Sequence, residues 1–206
     1  METIKLEAGD NKQYAIRAAE VLRAGGVVLY PTDTLYGLGA DALLDEAVAK
    51  IYAIKGRDEG KPIHAIVSDL AMVERYAEIT DDARRLAAKL PQGQVTFILK
   101  KKAGMDSGIM KDIATFGFRI PDNEFCIEMI RAFGKPITAT SANKSGEKPE
   151  RSVDKILAQL GAAAEGIELV IDAGELPERA ASTVVDLSGA HPLIVREGSI
   201  PAHRIV

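Results

Sequence analysis

At 206 residues, with 47% hydrophobic and 27% charged side chains, the chain has the size and composition of one medium domain able to bury a sizeable core. Its formal net charge of −4 excludes a wholesale basic coat for nucleic acid, while local basic patches stay open. The single cysteine, Cys126, excludes an intrachain disulfide and a cysteine zinc cluster and agrees with a reducing compartment.

The start, METIKLEAGDNK, is charged and lacks the apolar run of a signal peptide. No apolar stretch approaches the roughly 18 residues of a membrane span, so the expected location is the cytoplasm. Residues 12–24 place Ile16, Ala19 and Leu22 at helical spacing before Gly25-Gly26 stops the helix. A strand over 27–30 follows. Residues 44–55 carry acids in the first turn and Lys55 in the last, with Gly56 as the cap, which predicts a helix. "PIHAIVS" reads as the next strand, Asp69 caps a short helix, and Thr80-Asp81-Asp82 opens another ending near Leu90. "VTFILK", "TFGFRI", "ITAT", "ELVID", "STVVDL" and "LIVR" are short strands rich in β-branched residues. Helices are expected near 123–133 and 152–160. The alternation predicts an α/β fold: one domain over residues 1–206, with an open, twisted, mixed sheet of about seven strands and flanking helices.

Four polar clusters interrupt these apolar segments, mostly at strand ends, where α/β sheets place ligands. After the strand at 27–30, Thr32, Asp33, Thr34 and Tyr36 offer donors and acceptors, and Gly37 and Gly39 allow positive φ or close backbone approach. A threonine-stabilised turn is the simpler reading of the same residues. Lys55-Gly56-Arg57, with Lys61 behind, stands at a helix C-terminus, which favours cations in any case; as a functional cluster it is a phosphate clamp. Arg119 lies within an apolar strand and needs an anionic partner, either an internal carboxylate or a ligand's. Downstream, "TATSAN" sets Ser141, Asn143 and Ser145 toward one side. The fourth cluster pairs Ser182-Thr183 with Arg196-Glu197-Gly198.

In this order the clusters resemble the YrdC-like family of threonylcarbamoyl-AMP synthases. The matching blocks are PTDTLYGLGADA at 31–42, KGR at 55–57, FRIPDN at 118–123, SANKSG at 141–146, STVVDL at 182–187 and VREG at 195–198. The resemblance runs from about residue 12 to about residue 200. It implies an open α/β sheet with a concave basic face and a nucleotidyltransferase that condenses L-threonine, bicarbonate and ATP into threonylcarbamoyl-AMP and pyrophosphate. The product serves N6-threonylcarbamoylation of adenosine 37 in tRNA, with the transfer made by other machinery. Motif matching implies that Lys55, Arg57, Lys61, Thr115, Ser141, Asn143 and Arg196 bind ATP, with Lys55 and Arg57 positioning its phosphates. Thr34, Arg119 and Ser182 would bind threonine. His64 matches a substrate-contacting histidine displaced by two positions, and reads equally as a structural histidine.

No Ser-His-Asp set, acid pair or metal-ligand cluster is apparent in the sequence. A threonine carbamate attacking the α-phosphate of ATP mainly needs alignment and charge neutralisation, with magnesium arriving on the phosphates and no metal held by protein side chains. Three departures from the family pattern stand out. Glutamines flank Gly93 in LPQGQVT, Asp58 follows KGR, and the chain ends shortly after Gly198, the single-domain form. Two other readings compete: an RNA-binding module gripping tRNA or double-stranded RNA by its basic face, and a paralogue acting on another carbamoyl substrate.

Overall fold

The computed structural model describes residues 1–7, 9, 11–58 and 60–205. Its first half runs β1 (Glu2–Lys5), α1 (Lys12–Arg23), β2 (Val28–Pro31), β3 (Tyr36–Gly39), α2 (Asp45–Lys55), β4 (His64–Ile66), α3 (Leu70–Val73) and α4 (Asp81–Lys89). There follow β5 (Val95–Lys100), β6 (Thr115–Arg119), α5 (Glu124–Phe133), β7 (Ile137–Ser141), α6 (Val153–Leu160), β8 (Leu169–Asp172), β9 (Thr183–Asp186) and β10 (Leu193–Arg196). All ten strands join one sheet in the order β1-β8-β2-β3-β7-β4-β6-β5-β9-β10. Pairing is parallel for β1–β8, β8–β2, β4–β6 and β5–β9, and antiparallel for the rest.

The sheet therefore has ten strands rather than about seven. Two were invisible to pattern reading. In β1, "ETIK", charged residues outnumber apolar ones at a sheet edge, where a strand has little to bury. In β3, "YGLG", two glycines imitate a loop. Neither glycine has positive φ. They are small because the ring of Tyr30 crosses them: a Cβ on Gly37 would fall 2.9 Å from Tyr30 Cζ, and one on Gly39 2.8 Å from Tyr30 Cε1. The close approach expected at these glycines is thus made by a core side chain of the protein itself.

The helix signals acted as local chemistry requires. Asp69 accepts a hydrogen bond from Met72 N at 2.8 Å, Thr80 from Ala83 N at 3.2 Å and Asn123 from Cys126 N at 3.0 Å, each satisfying an amide that the first turn leaves free. Gly56 closes α2 at φ 56°, a conformation that costs a glycine little. Helix α1 buries Ala15, Ala18, Ala19 and Leu22, but Ile16 is 44% exposed. The helix rests on α5 through its small side chains, so Ile16 falls on the outer flank of the expected apolar face.

Strands β2 and β6 are separated in the sheet by β3, β7 and β4. At about 4.8 Å per strand a flat sheet would set them about 19 Å apart. Yet Asp33, just past β2, meets Arg119 at the end of β6 at 2.9 Å. The sheet must curl between them, and the turn at 32–35 must reach across the hollow. This curvature brings together polar residues that are far apart in the chain.

Candidate functional site

A cleft of about 340 Å3 opens on the hollow of the sheet, and its walls include Thr34, Arg57, His64, Arg119, Ser141, Ser182 and Arg196. Seven of the residues singled out by sequence thus share one surface. A larger hollow of about 690 Å3 lies between α2 and residues 108–113, lined by residues such as Asp45, Tyr52, Ile109 and Lys111. Its described lining residues include none of the predicted ones and no arginine.

The turn that opens the cleft is organised by Thr32. Its Oγ1 donates to Leu35 O at 2.8 Å and accepts from Thr34 N at 3.0 Å and Leu35 N at 3.2 Å. The threonine-stabilised turn is therefore real, and it serves the site by presenting Thr34 to the cleft. Behind it, Arg119 Nη1 donates to both oxygens of Asp33 at 2.9 Å and to Gly93 O at 3.0 Å. The two side chains are 10% and 5% exposed. The buried guanidinium thus takes an internal carboxylate, the first of the two partners foreseen for it.

Arg57 and Arg196 are held differently. Arg57 Nε donates to Lys61 O at 3.3 Å and Nη2 to Pro62 O at 3.1 Å. Arg196 Nη2 donates to Ser182 O at 2.8 Å and to Ser182 Oγ at 3.4 Å. Among the described residues neither has a carboxylate within salt-bridge distance. Ser182 Oγ also lies 2.8 Å from Thr96 Oγ1, and both are buried. Thr96 is a site residue that sequence reasoning missed, because a threonine inside "VTFILK" looks like any β-branched strand residue.

His64 lies on the floor. Gly117 is its neighbour on β6, and a Cβ there would fall 2.4 Å from His64 Cδ2, so the glycine makes the slot in which the imidazole sits. Burial, then the charges of Arg196 and Arg57, lower the His64 pKa to about 4. The ring is neutral at physiological pH.

Lys55 and Asn143 stand directly behind this wall. The Lys55 side chain is enclosed, 2% of the residue being exposed. Its Nζ donates to Ser141 O, to Asn143 O at 2.8 Å and to Asn143 Oδ1 at 3.3 Å. Burial, with Arg57 nearby, lowers its pKa to about 8. Asn143 Nδ2 donates to Lys144 O at 2.7 Å and Glu147 O at 2.9 Å, while its Oδ1 accepts from Ser141 Oγ. Both side chains shape the loop that follows β7. Lys61 is exposed, and Thr115 stands opposite Lys100 at the start of β6. The cleft walls include neither.

The Sua5/YciO/YrdC family model, described as telomere recombination, matches residues 20–198. The chain belongs to the Sua5/YciO/YrdC family. Among its relatives is a putative threonylcarbamoyl-AMP synthase of Methanocaldococcus jannaschii, 36% identical over 181 residues, covering 88% of this chain and 84% of the relative. Pyrococcus abyssi Sua5, solved in complex with L-threonine, superposes with a TM-score of 0.90 at 32% identity over all of this chain and 60% of that one. The chain therefore spans about three-fifths of that Sua5. Escherichia coli YciO superposes with a TM-score of 0.85 at 28% identity, covering all of this chain and 98% of YciO. The family's open α/β sheet is the fold expected from sequence, with more strands.

Proposed function

We propose that this chain is a threonylcarbamoyl-AMP synthase, a nucleotidyltransferase that condenses L-threonine, bicarbonate and ATP. One observation carries the reading. The three arginines of a single cleft divide into one that is held by a carboxylate, Arg119, and two that among the described residues meet only backbone carbonyls and a hydroxyl, Arg57 and Arg196. Two guanidinium groups in one cleft, with no carboxylate partner among the described residues, fit a polyphosphate. A separate guanidinium, fixed by Asp33 in the cleft that Thr34 and Ser182 also line, fits an amino-acid carboxylate. The synthase names carried by relatives and the threonine complex of Pyrococcus abyssi Sua5 support this assignment.

In the proposed reaction bicarbonate takes up a proton and loses water to give carbon dioxide. The neutral threonine nitrogen bonds to that carbon and gives up one proton, so that the net change is amine plus bicarbonate to carbamate plus water. A carbamate oxygen then attacks the α-phosphorus of ATP, the bond to the bridging oxygen breaks, and pyrophosphate leaves. Arg57, Arg196 and Ser141 hold the phosphates, while Arg119, Thr34 and Ser182 orient threonine. Lys55 and Asn143 support the phosphate wall from behind, and Lys61 would join it through movement of its exposed side chain. Thr115 is assigned to the nucleotide by motif match alone. His64, neutral between two arginines, is assigned a polar contact to threonine. Fixed donors of this kind lower a barrier where charge develops, and alignment contributes as well.

Among the described residues no group of three His, Cys, Asp or Glu side chains could hold a metal ion. Magnesium enters the proposal as the counter-ion that ATP brings. The product would pass to a separate tRNA threonylcarbamoyl transferase in the cytoplasm. No helix of the described residues is long and apolar enough to cross a membrane.

The deciding experiment measures pyrophosphate release with threonine and bicarbonate each present or omitted. The synthase reading expects release that requires both, with serine much poorer. The second reading is a paralogue acting on another carbamoyl substrate. Release with bicarbonate and a different amine, and none with threonine, would select it. Without release under any combination, a salt titration of tRNA binding would test the RNA-binding alternative.

A further inference from the structure

Asp33 lies off the cleft, yet it controls the residue assigned to the threonine carboxylate. Arg119 lines the cleft. Asp33 instead lines a neighbouring hollow of about 330 Å3 with Gln92, Gly93, Gln94 and Asp122, which meets the cleft at Thr34. Both Asp33 oxygens converge on one nitrogen, Nη1, at 2.9 Å, and Gly93 O receives the same nitrogen at 3.0 Å. Among the described residues no hydrogen bond engages Arg119 Nη2 or Nε.

Gly93 is required here on two counts. Its φ is +76°, and a Cβ would fall 2.3 Å from Asp33 Oδ2. Its amide donates to Ile120 O at 2.8 Å, so one peptide segment grips both Arg119 and the residue after it. The flanking glutamines leave this glycine in place.

Resting on the synthase reading, we propose that Asp33 and Gly93 form a clamp that holds Arg119 by Nη1 and presents its Nη2 and Nε to an α-carboxylate in the cleft. Asp33 is then a positioning residue for amino-acid recognition. A guanidinium offers a planar fork, and fixing one corner of it leaves the opposite edge aimed before the ligand arrives. Ligand binding then loses less side-chain freedom on the protein side.

The test compares the wild type with Asp33→Asn, which keeps shape and one acceptor, and Asp33→Ala, which keeps neither. Michaelis constants for threonine and ATP are measured by pyrophosphate release, and threonine and threoninamide are titrated calorimetrically with a non-hydrolysable ATP analogue present. The clamp expects the threonine constant to rise about threefold or more in Asp33→Asn and about tenfold or more in Asp33→Ala, with the ATP constant within about twofold. Preference for threonine over threoninamide falls in the same order. A threonine constant that stays within about 1.5-fold in folded Asp33→Asn, that tightens, or that moves in parallel with the ATP constant overturns the proposal. If Asp33→Ala does not fold, Asp33→Asn decides alone. Failure of the synthase reading shows separately, as wild-type protein that releases no pyrophosphate with threonine. The clamp is then judged by the crystal structure of Asp33→Asn: a guanidinium displaced from Gly93 O supports it, and one left in place overturns it.

Discussion

At the scale of single residues, the site depends on where a side chain is missing. Gly117 has no Cβ, and His64 fills the space. In the unfolded chain this histidine takes a proton near its ordinary value of about 6.5, whereas in the fold its pKa is lowered to about 4. Between those values the unfolded state binds more protons, so stability is complete above about pH 6.5 and declines as pH falls toward 4. His64→Gln should flatten this acid limb. The expected difference is on the order of 1 kcal/mol at pH 5, after discounting for partial solvent access, read from urea midpoints of both proteins at pH 7 and pH 5. Arg119→Ala tests the other end of the cleft. It should remove threonine dependence from pyrophosphate release while the ATP constant changes little. An unchanged threonine constant in folded protein would refute the assignment.

At the scale of elements, the end of α2 is tied to the end of β7. Lys55 Nζ reaches the carbonyls of Ser141 and Asn143, and Lys55 O accepts from Ser145 N at 2.8 Å. Lys55→Met keeps the stem but removes the ammonium donor from both carbonyls, leaving Ser141 O, among the described residues, only the amide of Asn143, a loss of about 1–3 kcal/mol. Urea denaturation should show it, together with weaker ATP use, because Ser141 lines the cleft. The β2–β3 hairpin makes a second prediction. Gly39→Ala places a methyl 2.8 Å from Tyr30 Cε1 and 2.9 Å from Ile137 Cγ2, an overpacking expected to cost about 1–3 kcal/mol. Calorimetric melting should drop by roughly 2–4 °C for each kcal/mol lost.

At the scale of the whole molecule, the cleft is built from segments spread between Tyr30 and Arg196, and the curl of the sheet holds them together. A ligand that bridges these walls binds the native state alone and should raise its stability by mass action, about 2.7 kcal/mol at a hundredfold excess over its dissociation constant. Thermal melting with ATP and threonine together should therefore exceed melting with either alone. A shift for the pair equal to that for ATP alone would show that threonine does not bind the native state, and one equal to the sum of the single shifts would place the two ligands in independent sites.

Much of this was legible without coordinates, for local reasons. Caps at Asp69, Thr80 and Asn123 and the glycine after α2 act through bonds to amides and carbonyls a few residues away, so a short window of sequence contains the whole cause. Strands rich in β-branched residues were legible for the same reason, and the ordered polar blocks identified the candidate site. Contacts between distant segments were out of reach. A window around Tyr36–Gly39 does not contain the Tyr30 ring that makes glycine necessary, one around Thr96 does not contain Ser182, and one around Arg119 does not contain Asp33. The chain by itself determined its fold class, its helix ends and the inventory of arginines and hydroxyls at the site. Only the tertiary structure decided that Arg119 is held by Asp33, that Lys55 faces inward to carbonyls and that His64 is kept neutral. Each of those outcomes follows from burial and from partners brought close by the curl of the sheet, and neither is a property of a short stretch of chain.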